Sequence, residues 1–167
     1  MENDEYRVEL VSHYLTKLHL EDEIQSYFSG RNILVTGGAG AIGSNLVVAL
    51  SKLVGSDGMI IVLDNLSAIK SNDPIDFPSL SNVMFVKGDV RSDVDLKRVI
   101  RERPTIIYHL AAFFANQNSV DYPEISADVD INGIIKLLDL AQFTNVERFI
   151  YASSGCAIYG SYGKMPL

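Results

Sequence analysis

The sequence predicts an α/β fold, a doubly wound parallel sheet preceded by a short helical extension, and three observations carry that expectation. Short, nearly unbroken hydrophobic runs (ILV, MIIVL, VMFV, TIIYHL and RFIYA) recur along the chain, as strands buried on both faces require. Stretches of helical period lie between several of them, and strand alternating with helix implies right-handed crossovers and a parallel sheet. Between the first run and the first long helix stands GGAGAIG, residues 37–43, a bare turn at what would be the carboxyl edge of that sheet.

Taken in order, residues 5–19 place Leu10, Val11, Tyr14, Leu15 and Leu18 on one stripe of an amphipathic helix. A second short helix is expected at 21–28, and Gly30 ends the helical pattern. Residues 1–30 therefore read as an extension that packs on the fold or on a partner subunit, and residues 31–167 as the domain proper. Strands are expected at 32–36, 59–63, 83–86, 106–109 and 148–151; helices at 41–54, 93–101 and 123–143. Residues 66–81, LSAIKSNDPIDFPSLS, lack periodicity and contain two prolines, which predicts a long surface loop.

Composition narrows the function. A net charge of −7 gives an acidic surface that repels phosphate polymers and anionic membranes, so neither nucleic acid nor a membrane is expected as a partner. The amino terminus, MENDEYRVEL, is acidic where a secretory signal is basic. No apolar run approaches the ~18 residues of a membrane-span candidate. The lone Cys156 has no partner for a disulfide or a zinc site, so a reducing, cytoplasmic setting is expected. The isolated histidines 13, 19 and 109 predict no metal. His109 reads as a strand-end core residue because no carboxylate or nucleophile stands near it in sequence.

The glycines carry the chemistry. Gly38, Gly40 and Gly43 satisfy G-x-G-x-x-G, and Gly37, Gly40 and Gly43 the related G-x-x-G-x-x-G. The first glycines permit a turn with positive φ, and Gly40 lets backbone approach a pyrophosphate. Gly43 lets the helix pack closely. Free N–H groups and the helix dipole then face the anion. No Lys-Ser or Lys-Thr follows Gly43, which removes a triphosphate P-loop. Asp64 ends the second strand about 20 residues beyond the last glycine, where a carboxylate binds the hydroxyls of the adenosine ribose. A carboxylate there repels a 2′-phosphate, which favours NAD over NADP.

With Gly37 to Gly43, VLDNLS, KGDVRSD, IYHLAA and YASSGCAIYG in this order, the chain resembles the extended short-chain dehydrogenase/reductases. It is most similar to the NAD-dependent nucleotide-sugar epimerases and dehydratases of the UDP-galactose 4-epimerase type. The resemblance covers residues 31–163 and implies a Rossmann-type sheet, here incomplete at its C-terminus, with NAD as cofactor and a nucleotide sugar as substrate of the full-length enzyme. It implies that Ala41 and Ile42 present backbone to the pyrophosphate, that Asp64 and Asn65 of LDNLS stand on the ribose side, that Asp89 and Val90 flank the adenine, and that Leu110, Ala111 and Ala112 line the ribose and pyrophosphate side. A homodimer is implied too, with residues 126–143 contributing to a four-helix interface through Ile131, Ile134, Ile135, Leu138 and Leu140.

In that family a Tyr and a Lys in Y-x-x-x-K, with a Ser or Thr after the fifth strand, carry proton transfer while hydride passes from a sugar carbon to the nicotinamide. None of the eight tyrosines here has Lys four positions later. The pair is expected beyond Leu167 together with the substrate domain, so this chain alone is expected to be inactive. Ser154 is the nearest candidate for the hydroxyl, but counting back four from Tyr159 reaches Gly155. Asp130 stands where the family has Asn, and AAFFANQN where epimerases often have Lys. The alternative is a non-catalytic nucleotide-binding or interaction module, which the same glycines would serve.

Overall fold

The computed structural model describes residues 2–19, 22–68, 80–114 and 116–154. Two helices, α1 (Glu2–Lys17) and α2 (Asp22–Phe28), precede β1 (Asn32–Thr36), α3 (Ala41–Val54), β2 (Met59–Asp64) and β3 (Val83–Lys87). Then come α4 (Asp93–Ile100), β4 (Ile106–His109), α5 (Asn116–Asp121), α6 (Pro123–Ala127), a π-helical turn at Asp128–Asn132, α7 (Gly133–Ala141) and β5 (Arg148–Tyr151). The five strands form one parallel sheet in the order β3-β2-β1-β4-β5. That is a Rossmann-type doubly wound sheet: the chain steps outward from β1 through β2 to β3, then returns to the other side of β1 for β4.

Alternation along the strands divides the core into two layers. Ile33 and Val35 of β1, Ile60 and Val62 of β2 and Ile106 of β4 pack with Val47, Leu50 and Val54 of α3. Leu34, Ile61, Leu63, Val86 and Ile107 point the other way, against Leu96, Val99 and Ile100 of α4 and Leu137 and Ala141 of α7. Both faces of β1 and β2 are buried, which is why these strands read as unbroken hydrophobic runs. Tyr27 and Phe28 of α2 extend the first layer. Arg31 lies over the Tyr27 ring, 4.4 Å from its centroid, and donates to Glu147 at 2.8 Å, tying α2 to the start of β5.

The structure departs from the sequence expectation mainly among the helices, while β2 and β3 each run one residue longer than expected and α2 starts one residue later. α4 stops at Ile100, with Arg101 as its cap. α5 was not expected, because NQNSVD has little helix propensity; Asn118 holds it by donating to the Phe114 carbonyl and accepting at its own carbonyl from Tyr122 N–H. The single helix expected over 123–143 is three segments, since the π turn widens the spiral at Asp128–Asn132. The wider turn seats Gly133 against Val90, where a β-carbon would stand 2.9 Å from the valine Cγ2. The expected loop at 66–81 lies mostly outside the described residues. Among those residues, no helix is long and apolar enough to cross a membrane.

After the π turn, Leu137 is wholly buried while the adjacent Leu138 is exposed. Leu137→Ala should therefore lower stability by about 2–5 kcal/mol, and Leu138→Ala by less than about 0.5 kcal/mol, in urea unfolding monitored by circular dichroism. Equal losses would mean that α7 presents a different face to the sheet.

Candidate functional site

The direction of winding reverses between β1 and β4, and the carboxyl ends of strands at such a reversal are where a doubly wound sheet places its ligand crevice. The glycine loop fills the β1 side of it. Gly37 has φ +70°, and a β-carbon there would meet Ala111 N at 2.7 Å and the Leu110 carbonyl carbon at 2.8 Å. Gly38 lies against Val62, whose Cγ1 would be 2.6 Å from an added β-carbon. At Gly43 such a carbon would overlap the Gly37 carbonyl oxygen and come within 2.7 Å of the Gly38 Cα. These three glycines are therefore required by the protein's own packing. Gly40 differs: its added β-carbon would meet only the Gly37 carbonyl oxygen, at 3.3 Å, leaving one side of the loop open.

Gly40 is the N-cap of α3 and brings no side chain to cap it. Gly40 N–H donates to the Gly37 carbonyl and Ser44 N–H to the Gly40 carbonyl. The N–H groups of Ala41, Ile42 and Gly43 are first-turn donors, which an α-helix cannot satisfy internally. Ala41 and Ile42 are exposed, Ile42 by 74 %. A 14-residue helix thus presents its positive end beside the crevice.

Asp64 completes the edge. Its Oδ2 accepts from Ala39 N–H at 2.9 Å and its Oδ1 from Leu66 N–H at 2.8 Å, so the carboxylate faces the glycine loop. A carboxylate has about four acceptor positions, and two remain for a ligand's hydroxyls. Asn65 donates from Nδ2 to Asp89 at 2.9 Å and accepts Ser67 N–H at its own Oδ1, bracing the ends of β2 and β3 together.

The remaining residues singled out from the sequence divide into two groups. Leu110 and Ala111 are half-buried beside Gly37, on the same edge as the loop, and Ala112 is exposed. Asp89 is taken up by the protein: Arg91 donates to it from N, Nε and an Nη, and Asn65 from Nδ2. The Arg91 guanidinium holds the Asp89 carboxyl far below the usual carboxylate range. The Val90 side chain is buried in the core beneath Gly133, so only its backbone is left for an adenine. Ser154 follows β5 and is exposed. Gly155, Cys156, Tyr159 and Gly160 lie outside the described residues, and among the described residues no cluster is fit to hold a metal.

Two positioning residues escaped the sequence reading. Thr36 is fully buried at the end of β1; its hydroxyl accepts Ala111 N–H at 3.3 Å and stands 2.7 Å from His109 Nδ1, so one side chain joins the ends of β1 and β4. Asp130, flagged only as a departure from Asn, accepts Phe113 N–H at 2.8 Å and the Ser126 hydroxyl at 3.0 Å. It fastens the segment after β4 to the π turn. Neither is visible from local sequence, because each partner lies on another element.

A bare helix N-terminus and a strand-end carboxylate at the reversal point of a doubly wound sheet define a nucleotide-binding α/β protein. Comparison with known proteins narrows the class. Residues 33–167 match the model of the NAD dependent epimerase/dehydratase family, and the chain belongs to that family. It is 35 % identical over 134 residues to UDP-glucose 4-epimerase of Mycolicibacterium smegmatis, covering 80 % of this chain and 42 % of that one. Among solved structures, epimerase Mth375 of Methanothermobacter thermautotrophicus is 49 % identical with a TM-score of 0.79, over 87 % of this chain and 41 % of that chain. The UDP-glucose 4-epimerase of Thermus thermophilus, solved with NAD, is 36 % identical with a TM-score of 0.66, over 80 % and 41 %. The chain spans about two fifths of the length of these relatives.

His109 sits where Thr36 joins the two strands and is 1 % exposed, with Nε2 buried and unpartnered. Burial pushes its pKa down to about 4, against a smaller upward pull from Asp130. Above pH ~6.5 the ring is neutral whether the chain is folded or not. Below that, the unfolded chain takes up a proton that the folded ring refuses, so stability falls as the pH drops from ~6.5 towards the folded value, by roughly 3 kcal/mol in all. Urea unfolding as a function of pH should show this fall, and His109→Asn should flatten it; an unchanged slope would show that the folded ring titrates normally.

Proposed function

We propose that this chain is the NAD-binding part of a nucleotide-sugar epimerase or dehydratase, with residues 31–167 forming the cofactor domain and residues 1–30 an extension to it. The observation that carries the reading is the Asp64 carboxylate, bonded to Ala39 N–H across the mouth of an uncapped helix. The groups present suit a dinucleotide. The first-turn amides of Ala41, Ile42 and Gly43 would hold the diphosphate. The free acceptor positions of Asp64 would take the adenosine ribose hydroxyls, with Asn65 beside it. Leu110, Ala111 and Ala112 would border the ribose and diphosphate from β4, and the Asp89–Val90 backbone would border the adenine.

The chemistry that NAD would supply there is reversible hydride transfer at a sugar carbon. This chain's contribution is binding and orientation. Ser154, just past β5, is the hydroxyl best placed in sequence to steady a reacting oxygen. With no Lys four positions after any tyrosine, the chain by itself is expected to bind cofactor without turning over sugar. The exposed Ile131, Ile135 and Leu138 on the outer side of α7 and its π turn supply an apolar face for the homodimer expected of the full-length enzyme. A cytoplasmic location agrees with the acidic, cysteine-poor composition.

Calorimetric titration tests the assignment. NAD should bind at least about tenfold more tightly than NADP, because Asp64 opposes a 2′-phosphate. Loss of a charged hydrogen-bond partner worth roughly 1.5–3 kcal/mol should weaken NAD binding about 10- to 100-fold in Asp64→Ala. Equal affinity for the two cofactors, or an Asp64→Ala variant that binds NAD like the parent, would take Asp64 out of this role.

A further inference from the structure

α1 and α2 precede the residues matched by the family model, and none of the residues proposed above to hold the cofactor lies on them. α1 contacts α3, with Val8, Val11 and Leu15 half-buried. Its outer side carries two adjacent rows at a spacing of four residues, the rows that form ridges on a helix. One is apolar: Tyr6, Leu10 and Tyr14, continued by Leu18 in the turn just past the helix, are exposed by 65, 53, 61 and 45 %. The other, one residue behind it, is Glu5, Glu9, His13 and Lys17, all exposed.

This row carries carboxylates in its first half and His13 and Lys17 in its second, and that order selects a partner. A basic partner would suit a uniformly acidic row, and a parallel two-fold copy would carry this row to the opposite side of the seam, where it could not meet itself. An antiparallel copy related by a two-fold axis near residue 11 sets Glu5 against Lys17 and Glu9 against His13, twice over. An axis one residue further along sets Tyr6 against Leu18 and Leu10 against Tyr14, so an axis midway between the two leaves every pair within about 1.5 Å of direct opposition along the helix, and the antiparallel arrangement opposes the two helix dipoles favourably. Complementarity to itself is what an isologous two-fold contact requires.

We propose that α1 is a self-association surface that pairs antiparallel with α1 of a second copy, the apolar rows in contact and Glu5 and Glu9 of each facing Lys17 and His13 of the other. The surface is separate from the outer side of α7 and does not depend on cofactor binding. A helix of 16 residues offers less than the ~800 Å² per partner of a standard interface. The pairing is accordingly weak, with Kd on the order of tens of micromolar.

Sedimentation equilibrium of the whole chain over about 1–200 µM, a range bracketing that Kd, should show a reversible monomer–dimer equilibrium. Glu5→Lys/Glu9→Lys makes the row entirely basic, and His13→Glu/Lys17→Glu makes it entirely acidic. Each variant alone should dimerise at least about tenfold more weakly, and an equimolar mixture of the two should regain the parental affinity. Leu10→Gln/Tyr14→Gln keeps every charge and suits a helix, and should also weaken the dimer about tenfold. A parent chain that stays monomeric, charge variants that dimerise like the parent, a mixture that regains nothing, or an indifferent Leu10→Gln/Tyr14→Gln variant would each overturn the proposal.

Discussion

The contact on which the site depends is between two stretches of backbone. Gly37 lies so close to the Leu110–Ala111 peptide that a single added carbon would collide with it, and Gly43 is equally close to the turn formed by Gly37 and Gly38. Removing two side chains lets the loop after β1 fold down onto the end of β4 and lets α3 start directly above it. The consequence is electrostatic. The first turn of α3 arrives at the sheet edge with its amides outward, and no side chain of Gly40 covers them.

Everything else at the edge fixes that arrangement in place. Gly37 N–H donates to the Leu63 carbonyl at the end of β2, and Asp64, the next residue, closes back on Ala39 N–H. Thr36 joins β1 to β4 from beneath. Asp130 and Lys136 hold the outer loops, the first through Phe113 N–H and the second by donating to the Arg91 carbonyl at 2.7 Å. The mouth of the crevice is thereby built from groups whose positions are set by neighbouring strands, which is the preorganisation that binding an anion between backbone amides requires.

The strands and the long helix α3 were legible because their hydrophobic periods are strong and the glycine loop marks their junction. Asp64 was legible for a related reason: its spacing from Gly43 is fixed by one helix and one strand. Contacts between distant elements were not. Thr36 meets His109 and Ala111 across 73 and 75 residues and Asp130 meets Phe113 across 17, and no local pattern announces those contacts. The reading of Asp89 and Val90 shows the opposite limit, since a motif located the β3 edge yet did not reveal that Arg91 occupies the Asp89 carboxylate and that the Val90 side chain is buried. The helix over 123–143 lost its continuity to a π turn, after which Gly133 lies against Val90.

A crystal structure of this chain grown with NAD would locate the diphosphate. It should lie within hydrogen-bonding distance of the Ala41 and Ile42 amides, with the adenosine ribose on Asp64. A dinucleotide bound elsewhere on the molecule, with those amides facing only water, would rule that placement out.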